Sequence, residues 1–280
     1  MAAFLALASA VCYGVVDFAG GILSRRVPFT VVTLLGQFGG LLCAVGAALV
    51  VPAPSLHATD LYWGALSGVG SGLAMLLLNR GLSRGAMSVV VPISAVTSVA
   101  LSVLAGVLVL GDRPAPLAWV GIAVAAPALW LVSVGRGASP DAPDTSAGRG
   151  ASDGLLASVG VALQYLALAQ AEPSSGLWPV AAGRLAALMV LLPTARRHLR
   201  VPPLIPAVQA VLIGAGAALG LSLYLLAAQR QMLAVVVVLA SLYPVLPVVL
   251  GIGVLHEQVD RRRAVGLLGT AVATVLLAIG

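Results

Sequence analysis

Long apolar runs separated by short polar punctuation follow one another from end to end of this chain. A helix that crosses a bilayer needs about 17–25 mostly apolar residues. The runs 2–23, 30–51, 61–78, 87–110 and 116–134 fit that length, as do 154–171, 177–193, 207–228, 233–255 and 264–279. The pattern therefore predicts an all-α membrane protein with ten transmembrane helices. The punctuation is rich in Arg, Pro, Gly and Asp. Only one connection is long, 135–153, reading GRGASPDAPDTSAGRGASD. Such a composition cannot bury a core and predicts a flexible linker. It divides the chain into a five-helix unit, 1–134, and a second, 154–280.

Composition sharpens this picture. Apolar residues make up 60% of the chain and charged residues only 9%, against about 25% charged in soluble domains. Too few charges remain to cover 280 residues in water. All 15 basic residues are arginine, and with the richness in Ala, Val, Leu and Gly this points to a GC-rich bacterial genome and hence to the bacterial cytoplasmic membrane. The net charge of +6 does not indicate nucleic acid, because the arginines sit in short loops between spans, where they act as topology signals. Cys12 and Cys43 lie inside apolar runs and read as small hydrophobes. The N-terminus lacks a basic region ahead of its apolar stretch and reads as a first spanning helix.

The halves repeat. At an offset of 145, Met87 falls on Met232, Gly106 on Gly251, Asp112 on Glu257 and Gly121 on Gly266. Over 87–134 there are 14 identities in 48 ungapped positions. Upstream the offset slips to 147 and pairs Gly36 and Gln37 with Gly183 and Arg184, as an altered loop length would produce. Five helices per unit is an odd number, so the units must lie upside down relative to each other. Inverted repeats around a midplane site are a signature of secondary transporters. Loops after odd-numbered helices hold 12 arginines and loops after even-numbered ones only Arg113 and Arg230. By the positive-inside rule this predicts both termini outside.

The stretch Ala240 to Val245 (ASLYPV), then Val254 to Glu257 (VLHE) and Gly266, resembles the second repeat of the EamA-type transporters of the drug/metabolite transporter superfamily. Met87 to Pro92 (MSVVVP), then Leu110 to Arg113 (LGDR) and Gly121, resembles the same element of the first repeat, and Tyr13 to Phe18 (YGVVDF) resembles a first helix of that kind. The resemblance implies a ten-helix basket around a central cavity and transport of small metabolites, often outward. Asp112 departs from the family's usual Glu. The family's termini lie in the cytoplasm, opposite to the arginine count.

Ionisable groups inside spans are costly and mark pathways by default. Asp17 lies within the first helix with Tyr13 one turn earlier, and Arg184 lies in the seventh. Asp17 suits a substrate amine or a coupling proton, Arg184 a carboxylate or phosphate. Alternatively the two pair with each other or with other polar groups as structural glue, or Asp17 is simply protonated. Ser94, Ser98 and Ser102 share a helix face just after Pro92, and Ser241 and Tyr243 stand beside Pro244 and Pro247. Helices broken at corresponding depths of two repeats point to a transporter's binding site; ordinary small-residue packing with hydroxyls bonded to their own helix is the alternative. Gln164 completes the candidate translocation site, while Gln37 and the ridge Gly64, Gly68, Gly72 read as packing elements. Asp112 and Glu257 read as caps of the next helix.

No metal cluster, catalytic constellation or phosphate-cradling loop is evident, so neither an enzyme nor a cofactor is expected. The expected partners are a small-molecule substrate, the lipid bilayer and, as coupling ion, protons; monomer and homodimer both remain open. The leading expectation is a secondary transporter of an amino-acid-like metabolite, proton-coupled or exchanging, that works by alternating access. The competing one is a passive channel or structural membrane protein.

Overall fold

A computed structural model describes residues 2–110, 115–134, 145–196, 202–228 and 243–279. All regular structure among these residues is helical. The helices are α1 (Ala2–Arg26), α2 (Phe29–Val50), α3 (Ala58–Arg84), α4 (Met87–Ala105), α5 (Pro116–Val134), α6 (Thr145–Leu168), α7 (Trp178–Arg196), α8 (Leu204–Ala228), α9 (Val245–Val254) and α10 (Arg261–Ile279). A π-type turn, Gly106–Leu110, extends α4, and a short 3-10 turn, Pro173–Ser175, precedes α7. Among the described residues, six helices are long and apolar enough to cross a membrane: α1 to α4, α6 and α8. Helices α5, α7 and α9 contribute shorter apolar segments.

Local sequence sets the boundaries. Pro28 separates α1 from α2, and Arg25 and Arg26 close α1, where cations complement the carbonyl end of a helix. Pro116 opens α5, a position where a missing N–H costs nothing. Pro244 and Pro247 lie immediately before and within the first turn of α9. The expected span 233–255 is described only from residue 243 onward.

The expected linker, 135–153, is shorter on its C-terminal side, because α6 begins at Thr145. Two contacts make the polar start of α6 helical. Gly150 packs on Gly85, and buried Asp153 lies 3.6 Å from Arg80 Nε and 3.9 Å from Arg84 Nη1. The remainder of the linker, 135–144, lies outside the described residues.

Helix packing follows a pattern of exchange. Helix α3 packs chiefly on α6 and α7, while α8 packs on α1 and α2; α5 packs on α10, and α2 on α7. Relabelling each helix by its counterpart five positions on converts the first pair of contacts into the second and returns the last two to themselves. Glycine makes the closest seams possible. A Cβ on Gly68 would lie 1.8 Å from the Gly183 carbonyl oxygen, and one on Gly214 would lie 1.6 Å from that of Gly36. Side chains are absent there because backbone touches backbone. The ridge continues as Gly64 on Pro179 and Gly72 on Ala187. Large apolar side chains such as Leu49, Leu212 and Leu268 point outward, at 72%, 64% and 70% exposure, as lipid-facing positions should.

Candidate functional site

Where α1, α2, α3, α6, α7 and α8 converge, they enclose a cavity of about 90 Å³. That is room for several water molecules or a small solute. Tyr13, Asp17, Ser94, Gln164, Arg184 and Tyr243 all line it. Distant parts of the sequence therefore bring six of the eight expected site residues to one place. Ser98 does not line the cavity; its hydroxyl donates to the Ala95 carbonyl at 2.8 Å, a bond to its own helix that competes with any ligand. Ser241 lies outside the described residues.

Asp17 and Arg184 are both buried, each at 6% exposure, and both face the cavity. They form no ion pair with each other. Arg184 instead donates from Nη1 to Gln37 Oε1 at 3.0 Å and to Ser71 Oγ at 3.4 Å. Both partners are neutral, so they orient the guanidinium and leave its charge uncompensated. No donor or cation among the described residues meets the Asp17 carboxylate within bonding distance. Isolated buried charges are expensive, and this site holds one ionisable group of each sign across a common space.

The remaining walls are amphipathic. The Tyr13 and Tyr243 rings tilt against each other with centroids 6.1 Å apart, and Tyr165 stands edge-on to Tyr224 at 6.3 Å. Met75, Leu78, Val32 and Ile213 supply an apolar surface. On the side toward the C-terminal end of α3, Asn79 Nδ2 donates to Thr33 Oγ1 at 3.0 Å, and Thr33 donates on to the Phe29 carbonyl.

Thr33, Ser71, Asn79 and Tyr165 were not among the expected site residues, and Gln37 was expected only to pack. The expected third span stops at residue 78, ahead of Arg80, which leaves Asn79 in a loop, whereas α3 runs on to Arg84. An amide directly following the apolar run was the available signal. Glu257 also differs from expectation. It caps α4, accepting from the Met87 and Ser88 N–H groups at 2.8 and 3.0 Å, while Asp260 caps the following helix through Arg263 N–H at 2.8 Å. Asp112 lies outside the described residues.

Residues 1–134 match the model of the EamA-like transporter family. No curated protein matches the sequence. Among solved structures, one crystal structure of a protein is similar over 99% of this chain and 97% of its own, with a TM-score of 0.62 and 16% identity. At that identity the likeness is one of fold alone.

Proposed function

We propose, from the match of residues 1–134 to the EamA-like transporter family and from the geometry of the cavity, a secondary transporter that moves a small dipolar, amino-acid-like metabolite across the bacterial cytoplasmic membrane by alternating access. The observation that carries this reading is the pair of buried ionisable groups of opposite sign on one cavity, Asp17 and Arg184, with no ion pair between them. A zwitterion neutralises both at once: its carboxylate meets the guanidinium in a charge-assisted pair, and its ammonium meets Asp17. When no ligand is present, a proton on Asp17 removes the buried negative charge, which couples transport to protons or to exchange. The apolar wall of Met75, Leu78 and Ile213 accommodates an aliphatic side chain.

The framework for the motion is two inverted five-helix repeats, 1–134 and 145–280, the second opening with α6. Three observations support it. The exchange pattern of helix contacts maps the two units onto each other. The family match ends at residue 134, the last residue of α5. The seams Gly68–Gly183 and Gly214–Gly36 are one contact made twice. Orientation follows the arginines, with the loops after odd-numbered helices in the cytoplasm.

The test is flux in proteoliposomes loaded with mixed amino acids, with and without an imposed pH gradient. Saturable flux of one zwitterion, lost in Asp17→Asn and in Arg184→Gln while both variants remain folded, is the expected result. Unsaturable flux, or flux untouched by either substitution, supports a channel or a structural protein and overturns the proposal.

A further inference from the structure

Helix α4 begins without help from its own sequence. Its capping position is Ala86, which offers no side-chain acceptor, yet the first N–H groups of any helix need partners. They find one 170 residues away, in the Glu257 carboxylate, with Oε1 on Met87 N–H and Oε2 on Ser88 N–H. Glu257 sits in the tight connection between α9 and α10, where its own N–H bonds the Gly251 carbonyl at 3.1 Å. His256 beside it holds φ at +52°, a conformation costly for a residue with a Cβ. Arg25, at the end of α1, adds to the junction. Its Nη2 lies 3.8 Å from Glu257 Oε1, and its guanidinium donates to the Leu82 and Gly85 carbonyls at 3.2 and 3.1 Å. One carboxylate thus ties the second half of the chain to α1, α3 and α4 of the first.

What this junction holds in place is apolar. Leu82, Met87, Val90 and Val91 are essentially fully buried and pack with Phe18, Ile22, Leu78, Tyr243 and Leu255. Leu78 and Tyr243 also form part of the cavity wall. The cluster therefore fills the space between the cavity and the face that carries Arg25, Arg80 and Arg84. A water-filled route to that face has to part it, and α4 is the element both anchored by Glu257 and packed in the plug.

We propose that Glu257 is a latch: its carboxylate on the N-terminus of α4 holds this plug shut, and its release opens the cavity toward the arginine-bearing face. The latch rests on the transporter reading, but it is a statement about which face the cavity opens to. It is a positioning residue and touches no substrate.

The experiment reads access directly. Leu78→Cys, in a chain whose Cys12 and Cys43 are replaced by Ser, is exposed to a membrane-impermeant maleimide from either face of sealed vesicles. Adding Glu257→Gln keeps the shape but turns one of the two accepting oxygens into an NH2 donor, so one hydrogen bond is lost and the other loses its charge. The expected result is labelling about fivefold faster from the arginine-bearing face and slower from the other, as a shift between two populations requires. Should Glu257→Gln fail to insert, Arg25→Gln takes its place, with a smaller change in the same direction. Unchanged labelling overturns the latch. So does faster labelling from both faces, which reports a loosened fold. Labelling needs no substrate, so a protein that carries no zwitterion can still show the latch, and one that carries it can still lack the latch.

Discussion

Arg184 donates a hydrogen bond to Gln37 at 3.0 Å, and these are two residues that the internal repeat superposes. Two positions related by a two-fold operation can touch only where the axis passes between them. In the inverted-repeat reading, this bond marks the axis, and it lies on the cavity wall. The symmetry is broken at that point: one copy carries a cation and the other a neutral amide. A site on an axis that must bind an asymmetric ligand needs such a break.

Restoring charge balance within the wall should therefore remove the site. Gln37→Glu places a carboxylate against the Arg184 guanidinium and forms an internal ion pair in place of the ligand's. We predict an apparent KM for a zwitterion raised about 10–100-fold, the worth of a charged hydrogen bond, with the melting temperature in detergent unchanged or higher. Flux kinetics and thermal unfolding on one preparation check this. An unchanged KM would take Arg184 out of ligand recognition.

The two charges should also divide their labour. In Asp17→Asn, preference for an amino acid over its deaminated analogue should collapse, while preference for the acid over its amide persists. Arg184→Gln should show the reverse. Equilibrium binding of each analogue to the purified variants, which needs no flux, measures both ratios, and loss of both in either variant would point to general damage.

The glycine seams make a prediction about stability. Gly68→Ala and Gly214→Ala drive a methyl group into a facing carbonyl, at 1.8 and 1.6 Å before relaxation. The helices must separate, at a cost of about 1–3 kcal/mol or more. Gly46 has nothing within 4 Å of its missing Cβ, so Gly46→Ala should leave stability unchanged or slightly raised. Equal melting temperatures for all three would contradict the backbone-to-backbone packing.

On the face opposite the Glu257 latch, buried Asp60 accepts hydrogen bonds from the Ser175 hydroxyl and from Glu172 N–H, the latter at 3.1 Å. The bonds join the start of α3 to the connection between α6 and α7. Asp60→Ala leaves two donors without their acceptor, at about 1–3 kcal/mol. Ser175→Ala should cost less. Limited proteolysis at the 51–57 connection, faster in Asp60→Ala than in Ser175→Ala, is the expected readout.

Much of this was legible in the sequence because lipid imposes a simple rule on it. Helices α1, α2, α5 and α8 begin and end within a few residues of their apolar runs, since the cost of unmet backbone groups in lipid fixes both. Asp17 and Arg184 stood out for the same reason. The errors came where polar residues are stabilised by partners the sequence does not reveal. Asp153 reads as linker until Arg80 and Arg84 come beside it. Asn79 reads as loop until it meets Thr33. Glu257 reads as a cap for its neighbour, although its acceptor role is filled across 170 residues. Spacing along the chain carries the periodicity of helices and says little about which distant donor a carboxylate will meet.

The naked glycine seams bear on motion as much as on strength. Where two helices interlock through side chains, tilting one against the other forces rotamers to unseat and repack, and each such rearrangement is a barrier. Along Gly68–Gly183 and Gly36–Gly214 there is nothing to unseat. The surfaces in contact are smooth backbone, held close by dispersion and indifferent to small changes of angle. In the proposed transport cycle they serve as low-friction bearings, on the lines along which one half of the molecule swivels on the other.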